Sequence, residues 1–159
     1  MDKIINCSVR LNCDTHHAFE LFTINKLLES WLVNMAQVDP IINGKYELFW
    51  DPTDRENNST LGCKITAIEV DKFISFEWRS PKQFKHFANN ADPLTHVVVF
   101  FIPNHGMTEV HLIHTGWRSS AEWEEARQWQ YKAWQIAFKE LEKQINGEHA
   151  QHAASGDLA

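Results

Sequence analysis

The stretch Thr95-His96-Val97-Val98-Val99-Phe100-Phe101-Ile102-Pro103-Asn104-His105-Gly106-Met107-Thr108-Glu109-Val110-His111-Leu112-Ile113-His114-Thr115 decides how this chain is read. Two runs rich in β-branched residues flank Pro103-Asn104-His105-Gly106, so the segment reads as an antiparallel hairpin. With Asn104 and His105 as a two-residue turn, Val97 faces Leu112, Val99 faces Val110 and Phe101 faces Thr108. On the other surface His96 meets Ile113, Val98 meets His111 and Phe100 meets Glu109. The first surface is the more uniformly apolar and is assigned to the interior. A two-residue change in loop length keeps the same faces together, because side chains alternate with a period of two.

Downstream, Gly116 ends the second strand, and Ser119 or Ser120 caps a helix from about Ala121 to Ile145. Glu122, Glu124 and Glu125 suit its positive N-terminus, and Asn146-Gly147 reads as its stop. One stripe of this helix carries Trp123, Arg127, Gln130, Trp134, Ala137, Phe138, Leu141 and Ile145. Upstream, Lys3–Leu11 alternates as a first strand, with Ile5, Cys7, Val9 and Leu11 on one face. Asp14 caps a short helix through Phe22, and a second short helical stretch lies near Asn25–Trp31. After the turns Asp39-Pro40 and Asn43-Gly44, Lys45–Trp50 reads as a strand with Tyr46, Leu48 and Trp50 on one side. Asp51–Ser59 is a polar loop. Thr60–Val70 and Lys72–Trp78 read as two strands joined at Asp71, with Ile74, Phe76 and Trp78 on one face. Ser80–Leu94 has no clean period and holds two prolines, so it reads as a long loop. Residues 1–147 are expected to form one domain, and residues 148–159 a flexible tail.

The order of strand, two short helices, five further strands and a long C-terminal helix resembles the START-like (SRPBCC) superfamily. More narrowly, the chain is similar to the family related to the C-terminal domain of the activator of the heat shock protein 90 ATPase. The resembling features are Val9–Phe22, Trp31, Asn43-Gly44-Lys45-Tyr46, Ile74-Ser75-Phe76-Glu77-Trp78 and His114-Thr115-Gly116-Trp117. The closing helix with Trp134, Phe138 and Leu141 completes the set, which spans about residues 3–146. The chain departs from the family at Asn43, where a second glycine is common, and in the length of Ser80–Leu94. The resemblance implies an α+β helix-grip fold: a curved, six-stranded antiparallel sheet around the C-terminal helix, with a cavity between them. It also implies binding of a small hydrophobic or amphipathic molecule in that cavity. A cyclase- or dehydratase-like enzyme in the same cavity is one alternative, and a chaperone co-factor or protein-interaction domain is another. The eukaryotic activator also relies on a separate N-terminal domain, for which this chain is expected to leave no room. A stress-related role would rest on the family's naming.

Composition bounds the function. The 159 residues carry a formal net charge of −6, which disfavours nucleic acid and anionic membrane surfaces as partners. No apolar run nears the roughly 20 residues needed to span a bilayer. The start Met1-Asp2-Lys3-Ile4 lacks the design of a signal peptide, so a cytoplasmic location is expected. Cys7, Cys13 and Cys63 form no CxxC pair and read as reduced structural thiols. With seven Trp and ten Phe, bulky rings must fill or line whatever interior exists.

The expected lining comprises Tyr46, Leu48, Trp50, Ile65, Ile74, Phe76 and Trp78 from the earlier strands. From the hairpin it takes Val97, Val99, Phe101, Val110, Leu112 and His114, roofed by Trp123, Arg127, Gln130 and Trp134. Polar groups in that lining favour a pocket over a dry core, since each is costly unless paired. Arg127 is the expected partner of a ligand carboxylate or carbonyl, or else it pairs with Glu124 at the helix edge. Phe84 and Phe87 make the Ser80–Leu94 loop either a gate or an unstructured insertion. No metal site, cofactor or catalytic residue is expected. His111 and His114 fall on opposite faces of one strand, His16 and His17 diverge, and GxSxG, GxGxxG and Walker motifs are absent. Were the chain an enzyme, His114 would be the acid or base, with Tyr46 or Arg127 as electrophilic partner. Val98, Phe100, Ile102 and Ile113 on the far side of the hairpin predict a homodimer.

Overall fold

The hairpin at the centre of the chain is built from β6 (Thr95–Asn104) and β7 (Met107–Thr115), turning at His105 and Gly106. Both turn residues have positive φ, 51° and 82°, as a two-residue turn of this hand requires. The register pairs Val97 with His114, Val99 with Leu112 and Phe101 with Val110. The turn therefore sits one residue further along than the sequence suggests, and the pairing shifts by two. The faces are those expected: Val97, Val99, Phe101, Val110, Leu112 and His114 are all buried.

A computed structural model describes residues 3–158, with side-chain surroundings through residue 147. Five antiparallel strands form the main sheet in the order β1-β7-β6-β5-β4, with β1 (Ile5–Leu11), β4 (Ile65–Glu69) and β5 (Phe73–Trp78) completing it. The strict alternation of buried and exposed residues along β1 marks a strand covered on one side only. A second pair, β2 (Met35–Val38) with β3 (Tyr46–Phe49), continues the sheet's line through a single bridge, Lys45 to Lys64. Among the described residues the six expected strands are thus seven, since β2 is additional. The turn before β3 places Asn43 at φ 67°, a conformation asparagine tolerates. Gly44 is required there, because a Cβ would stand 2.1 Å from the Asp39 carbonyl oxygen.

Two short helices follow β1: α1 (Thr15–Glu20) and α2 (Asn25–Trp31). Asp14 caps α1 by accepting the His17 amide at 2.8 Å. The Ser80–Leu94 segment is not a featureless loop. It holds a 3₁₀ turn over Lys82–Phe84 and a one-turn helix α3 (Lys85–Ala88), closed by Asn89, whose side chain brackets both the N–H and the C=O of Ser80.

The long helix α4 runs Ala121–Leu158, capped by Ser120, whose hydroxyl accepts the Trp123 amide at 3.2 Å. It does not stop at Asn146-Gly147. Asn146 instead spends its side chain on β1 and the residue that follows it, donating to the Arg10 carbonyl at 2.8 Å and accepting the Asn12 amide at 2.7 Å. The expectation that residues 148–159 do not pack falls on side chains outside the described ones. Trp123, Ala126, Gln130, Trp134, Phe138 and Leu141 form the buried stripe of α4 and close the core against the sheet. Phe22, Phe101, Trp31 and Phe138 interlock edge-on in the deepest part, with ring centroids 5.1–6.3 Å apart.

Candidate functional site

A cavity of about 950 Å³ opens where α4 leaves the sheet, between α2, the end of β3, the end of β5 and the 80s segment. Aromatic rings dominate its walls. Trp50 and Trp78 meet edge to face at 5.9 Å, and Trp78 lies 4.9 Å from Trp134. Trp31 closes the α2 side, its indole N–H donated to the Leu21 carbonyl at 2.9 Å. Trp129 and Ile136 stand at the rim and are 42% and 62% exposed, an apolar edge facing outward. Between them Ala133 and Ala137, four residues apart on one face of α4, supply the space. The helix recedes there because its side chains are small.

Polar groups enter at a few defined points. Gln130 is 5% exposed and accepts the Trp78 indole N–H through Oε1 at 3.2 Å. Arg79 reaches the wall just beyond β5, held by its Nη1, which donates to the Asn89 carbonyl at 3.2 Å. Its Nε is enclosed and has no partner among the described residues. Asp51, Asn58 and Ser59 come from the polar loop after β3, which folds back over the sheet so that Arg55 stacks 4.8 Å above Phe49. Lys139, Glu140 and Lys143 ring the outer edge.

Of the residues expected to line a cavity, Trp50, Trp78, Gln130 and Trp134 do so. Leu48, Phe76, Val97, Val99, Phe101, Val110 and Leu112 point inward as expected but are consumed by the closed core. Tyr46 is fully buried, stacked 3.8 Å over Phe76, with its hydroxyl donated to the Phe22 carbonyl at 2.8 Å. Trp123 packs against Phe87 and Trp117, away from the opening. Arg127 turns to the helix surface, where Nε and Nη2 grip Glu124 at 3.0 and 2.6 Å. That pair, with Lys3 at 3.2 Å from the same carboxylate, holds the Glu124 carboxyl down at about 2.

His114 is also committed to structure. The Trp134 indole N–H donates to Nδ1 at 3.1 Å, so the ring proton sits on Nε2 and faces the Thr95 hydroxyl at 3.0 Å. Burial depresses its pKa well below the ordinary value, and nearby His96 adds to that. It lies outside the cavity wall. The thiols follow the same pattern, with burial pushing Cys63 up to about 12 and Cys7 to about 11.

The residues that sequence reasoning passed over are Trp31, Arg79, Trp129, Ala133, Ile136 and Ala137. Strict alternation continued past Trp78 would turn Arg79 to the face opposite Ile74, Phe76 and Trp78, but β5 ends at Trp78. The Ala133/Ala137 pair was the available signal, since two small residues one turn apart beside Trp134 leave a helix face unfilled.

The sequence model for Activator of Hsp90 ATPase homolog 1-like proteins matches residues 12–146. Solved structures with the same fold include a protein of Mesorhizobium loti, 17% identical over 89% of this chain and 95% of that one, with TM-score 0.70. An HSP90 activator from Plasmodium falciparum is 19% identical over 91% and 96%, with TM-score 0.66. An Aha1 protein from Colwellia psychrerythraea, described as a dimer, is 12% identical over 90% and 96%, with TM-score 0.67. No curated protein matches the chain significantly.

Proposed function

The chain belongs to the family of Activator of Hsp90 ATPase homolog 1-like proteins, and from that premise we propose that it binds a small hydrophobic or amphipathic molecule in the cavity beside α4. The observation that carries this reading is the wall itself: five indoles, Trp31, Trp50, Trp78, Trp129 and Trp134, around about 950 Å³. Ligand sites of this size are built from apolar and aromatic surface with a few fixed polar groups. Indole surface left open to water forgoes the roughly 25 cal/mol per Å² that burial yields, so apolar side chains gathered around an open recess speak for an occupant. Larger residues at 133 and 137 would narrow it.

Native mass spectrometry of the purified protein, against its denatured mass, tests the proposal. A mass excess that vanishes on denaturation is expected in the wild type and not in Ala133→Phe, whose ring occupies the same space. An identical excess in both proteins places the ligand elsewhere and removes the cavity from consideration.

The back of the hairpin supports a partner reading as well. Phe100 and Ile102 are 38% and 45% exposed on the open face of the sheet, with Phe73 packed 6.2 Å from Phe100. This face is the proposed site of self-association into a homodimer. Among the described residues no helix is long and apolar enough to cross a membrane.

A further inference from the structure

We infer that Gln130 makes the cavity selective for an apolar ligand carrying a carbonyl oxygen, over one of the same shape that lacks a hydrogen-bond acceptor. The inference rests on the ligand-binding reading above and names the class of molecule it admits.

An amide side chain can present either its oxygen or its nitrogen, and the two look alike in shape. Here the choice is made by Trp78. An indole N–H only donates, so the atom of Gln130 that meets it at 3.2 Å must be the oxygen, Oε1. Trp78 is itself 3% exposed and wedged between Trp50 and Trp134, so it cannot turn away. The NH₂ group is thereby directed away from the indole. Gln130 as a residue is 5% exposed and belongs to the cavity wall, yet Nε2 has no partner among the described residues and is not enclosed by protein. Its opening is the cavity.

Two further indole donors of the wall are already spent. Trp31 donates to the Leu21 carbonyl and Trp134 to His114. Deep in the apolar part, then, Gln130 presents two N–H donors and no acceptor. A carbonyl oxygen satisfies it, whereas a hydrocarbon at the same point leaves a buried donor unpaired, which is the more costly outcome. Among the acceptor groups of the wall, Asp51, Asn58 and Ser59 come from the loop after β3, and Glu140 stands at the outer edge of α4.

Equilibrium dialysis with two naphthalene probes tests the inference. 2-Acetylnaphthalene carries a carbonyl, and 2-isopropenylnaphthalene replaces that oxygen with a methylene of similar shape. The wild type is expected to prefer the ketone by about tenfold, the worth of one buried hydrogen bond. Gln130→Met keeps the volume and removes the unpaired donor, so it is expected to bind both probes equally, taking the hydrocarbon more tightly than the wild type does. Gln130→Glu, which offers an acceptor to the cavity, is expected to shift preference from the ketone to 1-(2-naphthyl)ethanol. If it does not fold, the methionine variant decides alone. Equal binding of ketone and hydrocarbon by the wild type overturns the inference while leaving the cavity as a ligand site. A ketone preference that survives in Gln130→Met overturns it too. Binding of neither probe, together with a clean native mass, overturns the underlying reading as well.

Discussion

The indole N–H of Trp134 donates to Nδ1 of His114 at 3.1 Å, joining the long helix to the inward face of β7 one residue before that strand ends. The bond exists only while that ring nitrogen carries a lone pair. Protonation of His114 would place two donors face to face in a fully buried site.

A pH dependence follows with a fixed sign. The folded-state pKa lies below the unfolded value near 6.5, so the unfolded chain takes up a proton that the native state refuses. The contribution is complete above that value and is lost progressively as pH falls from there toward the depressed native pKa. Its slope is at most about 1.4 kcal/mol for each pH unit. Urea midpoints between pH 7.5 and 5 should fall more steeply for the wild type than for His114→Gln. Parallel curves would mean that the ring is not held neutral.

Tyr46 is expected to matter for stability and not for binding. Its hydroxyl is enclosed and donates to the Phe22 carbonyl, so Tyr46→Phe leaves a buried acceptor unpaired at a cost of about 1–3 kcal/mol. Denaturant unfolding should show that loss, with probe affinity unchanged.

Arg127 should prove to be a surface residue in function as in position. Arg127→Met is expected to release the Glu124 carboxyl toward its usual pKa, as followed by NMR of the side-chain carboxyl carbon. Probe binding should not change. Loss of binding on this substitution would return Arg127 to the site.

Self-association through the sheet's open face predicts that Phe100→Glu with Ile102→Lys converts a dimer to a monomer in sedimentation equilibrium. Neither residue touches the cavity, so probe affinity should be retained. A wild type that sediments as a monomer at high concentration would contradict the proposed interface.

What could be read beforehand was what periodicity encodes. The faces of β1, β5, β6 and β7 follow from alternation, and they survive a two-residue error in register because the period is two. Asp14 and Ser120 announce their helices by local capping chemistry. Features set by tertiary contacts were not legible. Strand β2 is only four residues long and pairs only with β3. Helix α3 is a single turn closed by Asn89 bonding back to Ser80. Asn146-Gly147 has the letters of a helix stop, but Asn146 is held by Arg10 and Asn12 across the fold. In the cavity wall, the periodic stripe of α4 brings Gln130 and Trp134 together. It could not tell that Arg127 would choose Glu124, three residues back, over the interior. Nor does periodicity reveal a space, because an alanine facing a cavity and one facing a neighbour look alike in a sequence.

The most direct test of the ligand cavity uses the protein's own indoles. In a ¹H–¹⁵N correlation spectrum the Nε1–H signals of the seven Trp can be followed while 2-acetylnaphthalene is titrated in. Ligand entry into the cavity should give saturable shifts at Trp50, Trp78 and Trp134, with Trp117 unmoved because it packs beside Trp123, away from the opening. Saturable shifts confined to Trp117 and Trp123, or no saturable shift at any indole, would contradict it.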